Sequence, residues 1–309
     1  MVDTYQIKGL GYIPDLYSFR DYGPDTKEVA TMYSNVKGLK NSKAGKEKDS
    51  LQPAFEIRKA FTPVVDQGAL GSCTANAGAG LIQYFEKKAH GTYTESSRRF
   101  IYKVTRDLLH VTGDTGAYLR TTMGALTLFG APPEEFWPYN GAPAENNPDF
   151  DEEPTAFCFA FGQSFQSTKY VRLDQPNLST SDLLISVKNY ISKGLPSMFG
   201  FTCYESLWQS KTNGGNIPFP CDNEKIVGGH AIVIAGYDDN KRIKNTTCDK
   251  ETTGAFLIRN SWGTDWGEKG YGWLPYEFVL RGIALDFWTV ISQEWVDTGQ
   301  FGEGAEHGR

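Results

Sequence analysis

Residues 67–73 read Gln-Gly-Ala-Leu-Gly-Ser-Cys, and an alanine-rich run that predicts a helix over residues 73–90 follows them. The stretch therefore places the Cys73 thiol in the first turn of a helix, six residues after the amide side chain of Gln67. Unpaired N–H groups at a helix N-terminus carry partial positive charge and favour an anion. We expect Cys73 to lose its proton more readily than an ordinary cysteine, and the thiolate is the nucleophilic form of this side chain.

The composition is that of a globular protein without a nucleic-acid or membrane partner. The chain has 309 residues, enough for two core-bearing lobes, and 39% of them are hydrophobic and 22% charged. The net charge of −6 argues against nucleic acid, because phosphate binding needs a basic face. No run approaches the ~18 apolar residues of a membrane span, and no signal peptide is visible at residues 1–10. The sequence predicts a monomer, cytoplasmic by default, with secretion by another route left open.

Five cysteines are too few for a disulfide scaffold in this length, and their odd number leaves at least one thiol free if pairing is internal. They are Cys73, Cys158, Cys203, Cys221 and Cys248. No CxxC pair occurs and no histidine is spaced for a zinc site, so neither a metal nor another cofactor is expected. Cys158, Cys203 and Cys248 are interpreted as structural or free and not catalytic, and a Cys203–Cys221 bridge stays open if the protein is secreted.

The first fifty residues predict an extension and not a domain. Residues 1–50 contain many turn-forming residues and no long periodic run, and the lysine-dense stretch 37–50 is typical of a solvated linker. An aromatic and apolar cluster between Tyr12 and Tyr22 can pack on another surface but hardly on itself. We therefore expect this extension to lie against a domain that spans residues 51–295, with a tail at 296–309.

Hydrophobic periodicity divides the domain into a helical half and a β-rich half. Helices are predicted over residues 73–90, 97–109 and 118–129, and a further one over 181–192 with its N-cap at Thr180 or Ser181. Strands are predicted at 157–161, 170–173, 198–201, 230–235, 255–259, 270–274 and 287–291. The sequence thus predicts an α+β fold, with a helical lobe at about residues 70–155, a β-rich lobe at about 156–295 and a cleft between them.

His230 and Asn260 complete a chemical pattern that Cys73 begins. His230 opens an apolar run that predicts a buried strand, and Asn260 ends another strand. A nucleophilic thiol needs a base that takes its proton and later returns it to the leaving group, and imidazole can do both. An amide such as Asn260 can orient the ring without adding charge. The tetrahedral intermediate needs preorganised donors, which the Gln67 side chain and the Cys73 backbone N–H can supply.

With these residues in this order, the sequence resembles the papain-like cysteine peptidases. Residues 67–73 match the family's oxyanion glutamine and nucleophile, and Gly-His-Ala at 229–231 resembles the start of its histidine strand. Asn-Ser-Trp-Gly-Thr-Asp-Trp-Gly at 260–267 resembles its asparagine segment almost residue for residue. The three blocks fall in the family's order and the resemblance covers about residues 55–290.

The resemblance implies a fold, an activity and a set of roles. The fold is two-lobed with a β-barrel-like second lobe, and the activity is that of a cysteine endopeptidase that hydrolyses a peptide or protein substrate through an acyl-enzyme. The implied roles are Cys73 as nucleophile, His230 as acid and base, Asn260 as the residue that orients the ring, Gln67 as oxyanion donor, and Trp262 as a cover over the His–Asn hydrogen bond.

Several residues depart from the family's pattern without removing a catalytic group. Leu70 and Thr74 replace the usual disulfide cysteine and the aromatic residue after the nucleophile. Cys221 resembles a family cysteine whose usual partner lies after the asparagine segment, but no cysteine follows Cys248. The nucleophile and the histidine are also farther apart than the family's ~130–150 residues. The segment 238–253 is the clearest insertion, and we expect it to form a surface hairpin.

The N-terminal segment has its own resemblance. Residues 11–22 are similar to the short N-terminal region of bacterial papain-like enzymes such as xylellain. This implies a segment that can lie over the catalytic cleft and restrict access, so that the enzyme inhibits itself.

Five residues resemble the wall of the family's substrate pocket: Met198, Phe199, Gly200, Gly228 and Gly229. They predict a roomy, uncharged pocket for an apolar or aromatic side chain, with no strong preference for arginine. Two other functions stay open. One is an acyltransferase that uses the same triad to pass an acyl group to an amine, and the other is a non-catalytic binding protein that retains the fold.

Overall fold

The computed structural model describes residues 9–27, 29–30, 51–163 and 169–290. The predicted linker at 37–50 and the predicted tail at 296–309 lie outside the described residues. None of the helices in the described part of the chain is long and apolar enough to cross a bilayer.

Three helices occupy the first half of the described domain, as predicted. They are α1 (Cys73–His90), α2 (Arg98–Leu108) and α3 (Leu119–Leu128). The second half contributes α4 (Ala156–Gly162), α5 (Thr180–Ser192) and the short α6 (Glu277–Leu280). Helix α5 is capped by the Ser179 hydroxyl, which accepts the Asp182 N–H, so the predicted cap at Thr180 or Ser181 was one or two residues late.

Seven antiparallel strands form one sheet. They are β1 (Ala54–Glu56), β2 (Tyr170–Arg172), β3 (Met198–Tyr204), β4 (Ile226–Lys244), β5 (Glu251–Arg259), β6 (Tyr271–Pro275) and β7 (Ala284–Val290). Their order is β2-β7-β3-β4-β5-β6, and β1 pairs with β4. The α+β fold is therefore confirmed, but the sheet is not closed into a barrel. The hairpin predicted at 238–253 is formed by the end of β4, the turn after it and the start of β5.

Helix α1 is the central element, because it packs on β4 and β3 with most of its residues buried. Its small residues allow close neighbours. A Cβ at Gly78 would lie 3.1 Å from the Leu126 side chain of α3, and a Cβ at Gly80 would lie 2.5 Å from the Arg259 guanidinium. The facing part of β4, Ala231–Ala235, is at most 1% exposed, as its apolar sequence predicted. The core therefore sits between α1 and the sheet and fixes both ends of the cleft.

The strand predicted at 157–161 was wrong, because these residues form helix α4. The Thr155 hydroxyl caps the helix by accepting the Cys158 N–H. Helical spacing brings the rings of Phe157 and Phe161 to 5.5 Å, and both contact Phe136 at 5.2 Å. A short apolar run does not distinguish strand from helix, and here the cap and the ring contacts decide it.

The Cys203–Cys221 bridge that the sequence left open does not form. Cys221 forms a disulfide with Cys248, and Cys203 is buried and free. The β4–β5 hairpin carries Cys248 back toward the loop before β4, which the sequence spacing alone did not indicate.

Replacing both Cys221 and Cys248 with serine should lower the free energy of unfolding by about 2–4 kcal/mol, because the bond restricts the unfolded chain. Guanidinium denaturation without reductant measures the difference. Dithiothreitol is the control: it should bring the wild type to the level of the double variant and leave that variant unchanged. Equal denaturation midpoints for the two proteins without reductant would contradict the bond.

Candidate active site

Cys73 is the first residue of α1, and its side chain has no exposed surface. Burial raises the pKa of the Cys73 thiol to about 11, although the backbone N–H groups of Ala231, Gly11 and Thr74 face the sulfur and favour the thiolate. The helix start is thus where the sequence placed it, but the readily ionised thiol is not found in this conformation. At neutral pH the Cys73 side chain is protonated.

His230 and Asn260 are joined by a hydrogen bond of 2.7 Å between Nε2 and Oδ1. The same Oδ1 accepts the Ser261 backbone N–H at 2.8 Å, which turns the amide oxygen toward the ring. Nε2 therefore carries the proton, and Nδ1 keeps a lone pair that has no hydrogen-bond partner among the described residues. Burial lowers the pKa of His230 to about 4, against the effect of the Asn260 bond. The ring is a neutral base with its free nitrogen fixed.

The backbone brings this ring to the thiol. Ala231, whose N–H faces the Cys73 sulfur, directly follows His230 in β4. Asn260 follows the last residue of β5, the strand that pairs with β4. Three predicted catalytic residues that are distant in sequence therefore lie at one place, where the start of α1 meets two neighbouring strands.

Gln67 is held by hydrogen bonds at both ends of its side chain. Its Nε2 donates to the Gly9 carbonyl at 2.9 Å and to the Leu70 carbonyl at 2.8 Å. Its Oε1 accepts the Ser261 hydroxyl at 2.5 Å, and its backbone carbonyl accepts the Tyr139 hydroxyl at 2.7 Å. The side-chain N–H groups thus point away from Ser261, toward the carbonyl oxygens of Gly9 and Leu70. Sequence reasoning missed Ser261 and Tyr139; Ser261 could have been found from its place beside Asn260.

Indole rings cover the histidine. Trp262 stacks on His230 with ring centroids 4.6 Å apart and an interplanar angle of 23°. Trp208 and Trp266 pack in turn on Trp262 at 6.4 and 5.6 Å. The stack keeps water away from the ring, which strengthens the hydrogen bond to Asn260. The sequence singled out Trp262 but not the two rings behind it.

The N-terminal segment, residues 9–22, runs directly through this site. Backbone N–H···O bonds join Gly9 to Gly68 at 3.2 Å, Tyr12 to Gly229 at 3.0 Å, Ala117 to Gly11 at 2.8 Å and Ile13 to Ala117 at 3.1 Å. Gly68 and Gly229 lie on opposite sides of the cleft: Gly68 is next to Gln67, and Gly229 is next to His230. The segment therefore bridges the cleft and covers the nucleophile.

Two glycines permit this close approach. A Cβ at Gly11 would lie 1.7 Å from the carbonyl oxygen of Gly71, and a Cβ at Gly9 would lie 2.0 Å from that of Leu70. Both obstacles are backbone atoms, which cannot move aside as a flexible side chain can. Any other residue at Gly11 would push the segment out of the cleft.

Two arginines, the half-buried Arg120 and the buried Arg172, hold the segment farther along. The Arg120 guanidinium pairs with Asp15 and with Asp21, the latter at 2.6 Å, and donates to the Leu16 carbonyl. The Arg172 guanidinium is within 3.5 Å of Asp21 and donates to the same carbonyl at 3.3 Å. Both acids belong to the segment and both arginines to the domain, so opening the cleft requires four charges to separate.

The predicted pocket residues fall into two groups. A Cβ at Gly200 or Gly229 would lie 2.0 or 2.3 Å from Tyr12, and a Cβ at Gly228 would lie 3.1 Å from the Leu10 side chain. These three glycines therefore line the space that the segment fills. Met198 and Phe199 are fully buried in the core instead, where Phe199 stacks on Phe287 at 4.7 Å.

An acid that the sequence did not indicate lies at the end of this space. The Tyr12 hydroxyl donates to Asp286 Oδ2 at 2.7 Å, and Asp286 has no exposed surface. The other carboxylate oxygen pairs with Arg172 at 2.8 Å. The pocket is therefore not lined by uncharged residues alone, which corrects the sequence-based description. No motif surrounds Asp286, and only its place in the sheet brings it here.

Comparison with known proteins agrees with this geometry. A family model described as papain family cysteine protease matches residues 51–277. An uncharacterized peptidase C1-like protein of Acanthamoeba polyphaga mimivirus is 32% identical over 286 residues, which are 89% of this chain and 85% of that one. Papain of Carica papaya is 27% identical over 216 residues, 69% of this chain and 51% of the papain sequence.

A solved structure is similar over nearly the whole chain. The crystal structure of xylellain, a cysteine protease from Xylella fastidiosa, superposes with a TM-score of 0.71 at 32% identity. The match covers 93% of this chain and 97% of xylellain, so it includes more than the peptidase core. The predicted family and enzyme class are thereby confirmed, and this chain belongs to the papain family of cysteine proteases.

Proposed function

We propose that the protein is a cysteine endopeptidase that acts through Cys73, His230 and Asn260, and that its N-terminal segment holds it inactive. The observation that carries the catalytic part is the 2.7 Å bond from His230 to Asn260, which leaves Nδ1 as an unprotonated base on a ring next to the thiol. The observation that carries the inhibitory part is the path of residues 9–13 across that site.

Hydrolysis in the open cleft follows from these groups. His230 Nδ1 takes the Cys73 proton, and the thiolate attacks the carbonyl carbon of the substrate. Gln67 Nε2 and the Cys73 backbone N–H stabilise the oxyanion. The imidazolium then gives its proton to the leaving amine, and a water molecule deprotonated by the same ring hydrolyses the thioester.

The segment acts as an obstacle because it presents the wrong groups. The N–H of Gly11 faces the sulfur, and an N–H cannot be attacked by a nucleophile. The carbonyl at Gln67 Nε2 belongs to Gly9, two residues earlier. No single peptide bond of the segment therefore has its carbon at the sulfur and its oxygen at Gln67.

The location of the protein stays a prediction. The expectation of a cytoplasmic protein came from the absence of a visible signal peptide. The disulfide between Cys221 and Cys248 favours an oxidising compartment instead, because cytosolic thiols are kept reduced.

Replacing Gly11 with alanine should raise kcat/KM on short fluorogenic peptides by about tenfold or more, because the added methyl group overlaps a backbone carbonyl and disfavours the closed state. Gly124→Ala is the matched control, since a Cβ there meets only the Tyr170 hydroxyl at 3.9 Å. Equal rates for wild type, Gly11→Ala and Gly124→Ala would count against autoinhibition.

Adding Cys73→Ala to the Gly11→Ala chain should reduce peptide hydrolysis more than about 1,000-fold, because no nucleophile remains. Cys158→Ala removes another buried free thiol, on α4, and should retain activity.

Mass spectrometry of the products in the presence of an added amine separates the reaction types. Acid products support hydrolysis, whereas predominantly amide products would identify an acyltransferase, and undiminished turnover without Cys73 would rule out the thiol mechanism.

Alkylation of Cys73 by iodoacetamide should be slow in the closed wild type at pH 7 and should accelerate as the pH rises toward the thiol pKa of about 11, because the thiolate reacts. In Gly11→Ala the sulfur is less buried, so its pKa falls and labelling at pH 7 becomes faster. Peptide mapping quantifies the modification at Cys73. Identical pH profiles for the two proteins would show that the segment does not control ionisation.

A further inference from the structure

The pocket beside the nucleophile is shaped around a phenol. Tyr12 is 5% exposed, and its ring lies against Gly200 and Gly229, where even a methyl group could not be added. Its hydroxyl reaches Asp286 at 2.7 Å. The space thus has a flat apolar entrance, formed by two glycines, and a carboxylate at its far end.

A distortion of the sheet aims this carboxylate at the pocket. On β3 Met198 pairs with Trp288 of β7 while Gly200 pairs with Leu285, so β7 carries one extra residue between these pairs. Asp286 lies in that bulge with a φ of 58°, in the left-handed region that non-glycine residues seldom occupy. Bulges redirect side chains next to active sites. Without the extra residue, strand alternation would place this side chain elsewhere.

The surroundings of Asp286 keep its orientation. Both oxygens of Asp174 accept backbone N–H groups of the bulge, from Asp286 at 3.0 Å and from Phe287 at 2.9 Å. The Arg172 guanidinium binds Asp286 Oδ1 at 2.8 Å and Asp174 at 3.0 Å. None of these contacts involves the N-terminal segment. The carboxylate therefore retains its position when the segment leaves.

Opening the cleft removes donors from only one of the two oxygens. Asp286 Oδ2 accepts the Tyr12 hydroxyl and the Asp15 backbone N–H at 2.9 Å, and both donors belong to the segment. Oδ1 lies 2.8 Å from the Arg172 guanidinium in an ion pair and accepts no hydrogen bond from the described residues, before or after the segment leaves. A single acceptor at the end of an apolar slot is complementary to one O–H group on an aromatic ring.

We propose that this pocket, once Tyr12 has left it, selects tyrosine at the second residue before the scissile bond of the substrate, and that Asp286 determines this specificity. The inference rests on the proposed peptidase function. The register takes the segment to run opposite to a substrate: the Gly11 N–H faces the sulfur, and Tyr12, the residue after Gly11, then stands where a substrate has the second residue before the bond.

The same geometry disfavours the obvious competitors. Phenylalanine fills the slot but leaves Oδ2 without a donor from the substrate. Arginine binds a carboxylate best through two parallel N–H···O bonds, which need both oxygens, and here the Arg172 guanidinium lies 2.8 Å from Oδ1 and repels a second guanidinium. An acid at the base of a pocket would ordinarily favour arginine, so the Arg172 pair is what changes the expected preference.

The test uses the full-length Gly11→Ala chain and dipeptidyl coumarin amides that differ only at the second residue before the bond: tyrosine, 4-methoxyphenylalanine, phenylalanine, leucine or arginine. We expect kcat/KM for tyrosine to exceed that for each other residue by about tenfold or more, since the other aromatic and aliphatic side chains have no donor for Oδ2 and arginine is repelled by Arg172. Exchanging tyrosine and phenylalanine at the residue next to the bond should change the rate little. A tyrosine preference of similar size there would overturn the register.

Asp286→Asn in the same chain should bring the ratio of tyrosine to phenylalanine close to one. This ratio compares two substrates of the same protein, so a general loss of activity does not alter it. The comparison of tyrosine with 4-methoxyphenylalanine tests the hydroxyl without any substitution at Asp286. Turnover of phenylalanine or arginine as fast as tyrosine would overturn the inference while leaving the peptidase function intact. Failure of the Gly11→Ala chain to cleave any of the five substrates would overturn both.

Discussion

The side-chain amide of Gln67 is the contact on which the closed structure depends. Its oxygen accepts the Ser261 hydroxyl next to Asn260, and its nitrogen donates to the Gly9 carbonyl of the N-terminal segment. One side chain thus connects the loop before α1, the loop after β5 and the segment in the cleft. Because the oxygen is occupied, the nitrogen donates to the Leu70 carbonyl of its own loop and, in the cleft, to the Gly9 carbonyl, which stands where we propose that a substrate oxyanion binds.

Burial sets the protonation states of Cys73 and His230 while the segment is in place. It raises the pKa of Cys73 to about 11 and lowers that of His230 to about 4, so both groups are neutral across a wide pH range. An ion pair in this environment would incur the desolvation of two charges. The Gly11 amide leaves with the segment, but the amides of Thr74 in α1 and Ala231 in β4 remain beside the sulfur and favour a thiolate once water returns. In the proposed autoinhibition, covering the nucleophile therefore acts on both access and ionisation.

The sequence predicted what local chemistry determines and missed what the tertiary fold determines. Gln67, Cys73, His230 and Asn260 each stand in a recognisable block, and the fold brings these blocks to one place. The Cys221–Cys248 pairing depends on how the β4–β5 hairpin folds back, and helix α4 depends on a cap and on ring contacts. Asp286 is 274 residues from Tyr12, and a bulge reverses the direction that strand alternation would give it. Such tertiary features leave no periodic pattern of hydrophobic residues in the sequence from which they could be predicted.

In the proposed autoinhibition, the segment blocks the site without being cleaved, because its backbone and its Tyr12 side chain are placed differently relative to the thiol. Tyr12 forms a parallel bridge with Ala117, and its ring fills a pocket next to the thiol, so its side chain binds as a substrate side chain would. The backbone beside it nevertheless presents an N–H to the sulfur. The same three residues, Gly200, Gly229 and Asp286, then contact both Tyr12 of the segment and the substrate side chain that we propose to replace it. A change in this pocket should alter specificity and inhibition together, which ties the preferred substrate of the enzyme to the sequence of its own N-terminal segment.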